Sequence, residues 1–134
     1  MKFTSILSLI VLPILSLADT VSFDQTYDNQ AGSLLTVACS EGSVVDNFAT
    51  FGSLPGFPNI GGAAAIAGFG SPNCGTCWNL TFESTTISVL AIDHAAAGFN
   101  IALGAMNTLT KNRAEFLGRI DATSVQVDPS FCGL

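Results

Sequence analysis

Trp78-Asn79-Leu80-Thr81-Phe82-Glu83-Ser84-Thr85-Thr86-Ile87-Ser88-Val89-Leu90-Ala91-Ile92, followed by Asp93, is the stretch from which the fold can be read. Trp78, Leu80 and Phe82 alternate with Asn79, Thr81 and Glu83, the period of two expected of a half-buried strand. Thr86 to Ile92 is rich in β-branched residues and almost wholly apolar, which suits a central strand covered on both faces. The same alternation recurs outward from this segment. It predicts strands at Val21–Tyr27 and Leu34–Ala38, and a last one in which Val125 and Val127 alternate with Ser124, Gln126 and Asp128. Phe51 to Gly62 is crowded with Gly and Pro and reads as an ordered loop. Ala63 to Ala67 suits a helix turn or a buried strand. One segment changes period: Ile101, Ala105, Met106 and Leu109 recur at three-to-four spacing, predicting a short helix over 100–109 with Asn100 as its N-cap. There is no internal repeat, linker or charge run. The expectation is a mainly β domain: a small closed barrel with one or two short helices.

The N-terminus is read as a secretory leader over residues 1–18, with the domain proper at 19–134. Lys2 supplies the positive start, Ile6 to Leu15 the apolar run, and Ser16 and Ala18 the small residues of a cleavage site before Asp19. The run is about half the ~20 residues a membrane span needs. Cleavage would leave 116 of the 134 residues and, without Lys2, move the formal charge from −6 to −7. Such a chain repels nucleic-acid phosphates and anionic lipid. No nucleic acid, membrane, cofactor or metal is expected, and uncharged partners stay open. At 49% hydrophobic and 10% charged residues, the chain is not disordered.

Four cysteines, Cys39, Cys74, Cys77 and Cys132, read as two disulfides in a small exported chain. Counting alone leaves three connectivities. Cys74-Gly75-Thr76-Cys77 has the spacing of a redox motif, but two further cysteines stand ready as partners in an oxidising compartment. Zinc would need more ligands than the single histidine, His94, allows.

Four strings together resemble the cerato-platanin family of secreted fungal proteins. They are Leu54-Pro55-Gly56-Phe57-Pro58-Asn59-Ile60-Gly61-Gly62, Ser71-Pro72-Asn73-Cys74-Gly75-Thr76-Cys77-Trp78, Asp93-His94-Ala95-Ala96-Ala97-Gly98-Phe99-Asn100 and Gln126-Val127-Asp128-Pro129-Ser130-Phe131-Cys132. The resemblance spans Asp19 to Leu134. It implies a six-stranded double-psi β-barrel, akin in fold to expansin, with bridges Cys39–Cys74 and Cys77–Cys132. It also implies an extracellular protein, at the fungal cell wall or beyond. Such a protein binds chitin-type N-acetylglucosamine oligomers, and cellulose as a further candidate, without cutting them. Expansin-like loosening, plant-defence elicitation through a plant surface receptor, and a monomer that self-associates at interfaces belong to the same implication.

A neutral sugar needs fixed polar groups on a preformed scaffold. Asp93 follows the apolar strand and is expected at a barrel rim, where a carboxylate accepts sugar hydroxyls. Asn59 and Asn100 each carry a donor and an acceptor suited to an acetamide. Asn59 also suits a purely local turn role. Gly61, Gly62 and Gly98 would let backbone approach a ligand. The family's sugar-contact region maps onto these positions. Phe48 stands where several relatives carry Tyr, keeping the ring but not the hydroxyl. Trp78 is expected in the core and His94 at the rim. Asn79-Leu80-Thr81 fits the N-glycosylation sequon, occupied only if Asn79 faces solvent. Two alternatives are set against glycan binding. One is a weak glycoside hydrolase using Asp93, which needs a second carboxyl within ~5–9.5 Å such as Asp46, Glu83 or Asp121. The other is a surface-active, self-assembling elicitor without a sugar site, drawing on an exposed Gly61–Gly70 segment.

Overall fold

The alternation at 77–94 resolves into two antiparallel strands, β3 (Cys77–Phe82) and β4 (Thr85–His94), in a computed structural model that describes residues 17–134. They are joined by a two-residue turn in which Glu83 takes a left-handed φ of 53°. From Val89 to Ile92 β4 is buried at every residue, as its unbroken apolar run requires. Four more strands complete the wall: β1 (Leu17–Phe23), β2 (Ile60–Ala63), β5 (Phe99–Ile101) and β6 (Arg119–Val127). The order β1-β5-β2-β4-β3-β6 closes on itself, with β1/β5 and β2/β4 parallel and the other neighbours antiparallel. The expected six-stranded barrel and both disulfides, Cys39–Cys74 and Cys77–Cys132, are present. The leader expected at residues 1–18 lies outside the described residues, apart from Leu17 and Ala18, whose backbone opens β1. Among the described residues, no helix is long and apolar enough to cross a membrane.

Several elements differ from the sequence expectation, each for a local reason. The strand expected over Val21–Tyr27 ends at Phe23, because the Asp24 side chain accepts from the Thr26 N–H and turns the chain into a 3-10 helix at Gln25–Asp28. Leu34–Ala38 is not a strand. Ser33 caps the Leu35 N–H at 3.1 Å and accepts from Thr36 Oγ1 through its own carbonyl at 2.6 Å, so short-range side-chain bonds close a 3-10 turn instead. Ile60–Gly62, expected in a loop, forms a buried strand together with Ala63, for which a buried strand is one of the two expectations. In β6 the parity is reversed as far as Val125: Ile120, Ala122 and Ser124 face inward and Val125 is 40% exposed, whereas Val127 is partly buried against the core as expected. Ser124 tolerates burial because its hydroxyl donates to the Asp19 carboxylate.

Three short helices occur among the described residues rather than one or two: α1 (Ser43–Asn47), α2 (Leu103–Thr110) and α3 (Ala114–Leu117). The predicted stripe Ala105, Met106 and Leu109 is buried. Asn100 is not the cap; it lies in β5. The first turn of α2 is satisfied from a distance, by Asp28, whose two carboxylate oxygens accept from the Leu103 and Gly104 N–H groups at 2.7 and 2.8 Å. A carboxylate there also meets the positive end of the helix dipole.

Candidate functional site

Register aligns residues from five strands in one hoop. Asp93 of β4 pairs with Gly62 of β2, Gly62 with Asn100 of β5, Asn100 with Ser22 of β1, and Ser22 with Arg119 of β6. A β-bulge between Gly61 and Gly62 slips Ile92 out of pairing, which brings Asp93 into the row. Asp93 and Asn100 are thus two strand spacings apart, about 10 Å. Asp93, Gly62 and Asn100, all expected at the site from sequence, thus lie in one register row.

The Asp93 carboxylate is engaged by the protein itself. Its Oδ2 accepts from the Tyr27 hydroxyl at 2.8 Å. Its Oδ1 accepts from the Ala38 and His94 backbone N–H groups, both at 2.9 Å. Those three bonds fill most of the roughly four acceptor positions of a carboxylate. The open rim anchor expected from sequence is therefore a half-buried brace joining β4 to the 3-10 turn at 25–28 and to the segment entering Cys39. Tyr27 is buried, and its hydroxyl pKa is pushed far up from 10.0, first by burial, then by the Asp93 hydrogen bond and the charges of Asp93 and Asp24.

That shift has a stability consequence. The folded state holds the Tyr27 proton more tightly than the unfolded chain, so the associated stability is complete below pH 10 and declines above it. We expect urea midpoints to fall above pH 10, with a contribution from Tyr27 of up to about 1.4 kcal/mol per pH unit. Tyr27→Phe should remove that contribution. Tyr27 is the only tyrosine, so tyrosinate absorbance follows it alone. An ordinary titration near pH 10 in the folded protein would refute the brace.

The glycines of the hoop serve the barrel as well. A Cβ on Gly61 would overlap the Asn100 carbonyl, and one on Gly62 would stand 2.8 Å from the His94 carbonyl. Gly98, at φ +51°, would press a Cβ into the Thr20 carbonyl. The close approach expected of a ligand at these three positions is made by neighbouring strands.

What remains open is a groove of about 410 Å³ lined by Ser22, His94, Ala95, Ala96, Ala97, Asn100 and Arg119. Ser22 Oγ donates to Asn100 Oδ1 at 3.1 Å, which turns the amide Nδ2 donors free of that contact. His94 Nδ1 lies 2.6 Å from the Ile66 carbonyl. A carbonyl only accepts, so Nδ1 carries a proton and Nε2 is the ring's other polar atom. No carboxyl side chain is among the lining residues. Ser22 and Arg119 were missed from sequence. Ser22 is one polar position of an alternating strand, and Arg119 has no motif around it; only cross-strand register brings them in.

The cerato-platanin family model matches residues 19–134. The chain belongs to the cerato-platanin family. It is 46% identical over 148 residues to Allergen Asp f 15 of Aspergillus fumigatus, covering 98% of this chain and 97% of that protein. The crystal structure of cerato-platanin 2 from M. perniciosa matches with a TM-score of 0.83 at 49% identity, covering 88% of this chain and all of that one. The solution structure of the fungal elicitor Cerato-Platanin matches with a TM-score of 0.75 at 40% identity, covering 84% and 95%.

In this cerato-platanin-family chain the other expected residues lie apart from the groove. Phe48 packs on the core and lines two other hollows. One, of about 330 Å³, is shared with Val44 and Leu134; the other, of about 190 Å³, is shared with Leu35 and Val45. Asn59 is half-buried and holds its loop through backbone bonds, from its N–H to the Gly56 carbonyl and from the Leu90 N–H to its own carbonyl. Trp78 meets Phe99 edge-on with ring centroids 5.6 Å apart and donates from Nε1 to Thr76, the expected core role. Asn79 sits opposite Ser88 and the exposed Val125, on the face away from buried Leu80, and accepts from Ser88 Oγ at 2.6 Å. Glu83 is ion-paired with Arg113 at 2.8 Å in the β3–β4 turn. It lies at the opposite end of β4 from Asp93, some eight residue rises or about 26 Å away, far outside the hydrolytic window. Of the Gly61–Gly70 segment, Gly61–Ala63 and Ile66 are buried, whereas Phe69 is 68% exposed.

Proposed function

We propose that this chain is an exported, extracellular protein that binds uncharged chitin-type N-acetylglucosamine oligomers, and related cell-wall polysaccharide, in the Ser22–His94–Asn100–Arg119 groove without hydrolysing them. Expansin-like loosening and recognition by a plant surface receptor would follow from that binding, and a relative described as a fungal elicitor supports the latter. The observation that carries the reading is a groove walled by hydroxyl, amide, imidazole and guanidinium groups and by three alanines. These are hydrogen-bonding groups for hydroxyls and acetamides. The nearest motif carboxylate, Asp93, is turned to Tyr27 and Ala38. The Asp93 hydrolase is not favoured by this arrangement, since cleavage needs a carboxyl pair flanking the bond.

An open groove with few anchors corresponds to dissociation constants of about 1 µM to 1 mM. NMR titration with an N-acetylglucosamine tetramer should shift resonances at 22, 94–100 and 119. Asn100→Ala should weaken binding about fivefold, the loss of one hydrogen bond worth about 1 kcal/mol. Reducing ends should not accumulate. Absence of shifts at 94–100 would sink the reading. Sustained release of reducing ends would return the enzyme.

A second reading, surface activity, is favoured by side chains left in water: Phe116 at 88%, Leu35 at 73%, Phe69 at 68% and Phe131 at 62% exposure. They come from four separate segments, and isolated exposed apolar residues are ordinary. Interfacial activity in a protein that does not titrate with oligosaccharide would favour it over the groove.

A further inference from the structure

Arg119 is the one residue of the groove lining with a permanent charge. Asn100 Oδ1 already accepts from Ser22, and His94 Nδ1–H already donates to Ile66. Among the lining residues, Asn100 Nδ2 and the Arg119 guanidinium are donors without an acceptor role, while Ser22 Oγ and His94 Nε2 keep lone pairs. Arg119 is one of four cationic side chains in a chain of formal charge −6. The ion pair found among the described residues, Arg113–Glu83, does not involve it, and no carboxylate shares its groove. The nearest acid along its own strand is Asp121, two residues on and exposed; it pairs in register with Thr20, whereas Arg119 pairs with Ser22. A recess whose one permanent charge is a guanidinium without an ion pair among the described residues favours a ligand that brings a negative charge of its own.

We propose that the Arg119 end of the groove is a subsite for the carboxylate of an acidic sugar, a uronic-acid unit within a cell-wall saccharide, held by the Arg119 guanidinium with Asn100 Nδ2 alongside. This rests on the glycan reading of the groove. The planar guanidinium donates to both oxygens of a carboxylate in a bidentate fork, which a lysine ammonium cannot. The overall charge repels diffuse polyanions, so the carboxylate binds only together with sugar-ring contacts to the alanine-lined wall.

The test is a matched pair of ligands: a galacturonate tetramer and its methyl ester, which share rings and length and differ in charge. At about 20 mM salt the acid should bind about fivefold more tightly than the ester, equivalent to about 1 kcal/mol. At about 0.5 M salt, where screening acts within a few ångströms, the preference should shrink while binding of the ester is unchanged. Arg119→Gln should abolish the preference and Arg119→Lys should retain part of it. Arg119 is exposed, so both variants should melt as the parent does. Equal binding of acid and ester overturns the subsite and leaves the neutral-glycan groove standing if the N-acetylglucosamine tetramer still titrates. A preference that survives in Arg119→Gln also overturns it. Failure of all three saccharides to shift groove resonances overturns both readings, and inorganic sulfate matching the acid in shifts and affinity reduces the subsite to a general anion site and overturns the saccharide claim.

Discussion

Asp93→Ala is expected to lower the melting temperature by about 15 °C, a structural effect larger than any effect on ligand affinity. The substitution removes the acceptor of the buried Tyr27 hydroxyl and of the half-buried Ala38 N–H, together with that of the His94 N–H. The last can turn to water, because His94 is exposed. The first two are left without a partner, at about 1–3 kcal/mol each. A combined loss of about 3–4 kcal/mol, in a domain of this size with an unfolding entropy of about 2.1 cal/mol/K per residue, corresponds to that shift. Asp93→Asn separates charge from geometry. Its amide oxygen still accepts from Ala38, and its NH₂ can donate to a Tyr27 hydroxyl whose hydrogen has rotated away. It should therefore cost much less stability, while bringing the Tyr27 titration down toward, though not to, the ordinary value. Burial, the largest cause of the shift, stays in place. The contrary result is specific: Asp93→Ala melting like the parent while losing oligosaccharide binding would make the carboxylate a ligand group after all.

The reading of Asp93 from sequence failed for an instructive reason. An acid directly after a buried strand must be satisfied by something, and that much was legible in Ile87–Ile92 followed by Asp93. What satisfies it depends on a bulge opposite Gly61 and Gly62 and on a tyrosine 66 positions away. No local pattern carries either. The same holds for Asp28, which caps α2 across 75 residues while Asn100, the local candidate, is drawn into β5. Elements governed by their own periodicity, β3, β4 and the Ala105–Met106–Leu109 stripe, were legible. Elements decided by competition between local caps and strand pairing, at 24–28 and 33–36, were not. β6 shows the limit of alternation itself: valine at 125 faces out and serine at 124 faces in, because Asp19 supplies the partner that makes a buried hydroxyl acceptable. The groove was half legible. The string that carries the family resemblance supplies His94 through Asn100, but Ser22 and Arg119 arrive from the two ends of the chain through register alone. A barrel closed by non-local pairing assembles its mouth from residues that share no sequence neighbourhood.

Removal of the disulfides should have the largest effect of all. Cys77–Cys132 spans a separation of 55 residues and Cys39–Cys74 one of 35. In the loop-closure model each constrains the unfolded chain by about 4 kcal/mol, and because the dependence on loop length is logarithmic the two differ by only about 0.4 kcal/mol. Either Cys→Ser pair alone should lower the melting temperature by about 16 °C. Their local signatures should differ. The Cys39 segment is also fixed to β4, through the Cys39 N–H to the Ile92 carbonyl at 3.0 Å and through Ala38 to Asp93. Without Cys39–Cys74 these bonds should hold residues 38–39 in place, and amide exchange there should track global unfolding. The turn at Pro129–Cys132 lies beyond the last β6 pairing at Val127. Without Cys77–Cys132 its amides should exchange by local fraying well before the barrel opens. With all four cysteines replaced, the combined loss of about 8 kcal/mol approaches the 5–15 kcal/mol that holds a typical domain folded. The variant should then be largely unfolded at 37 °C, with collapsed amide dispersion in its NMR spectrum. A four-serine chain that keeps native dispersion would mean that strand pairing and the core around Ile60, Leu90, Ile92 and Ile101 close this barrel unaided.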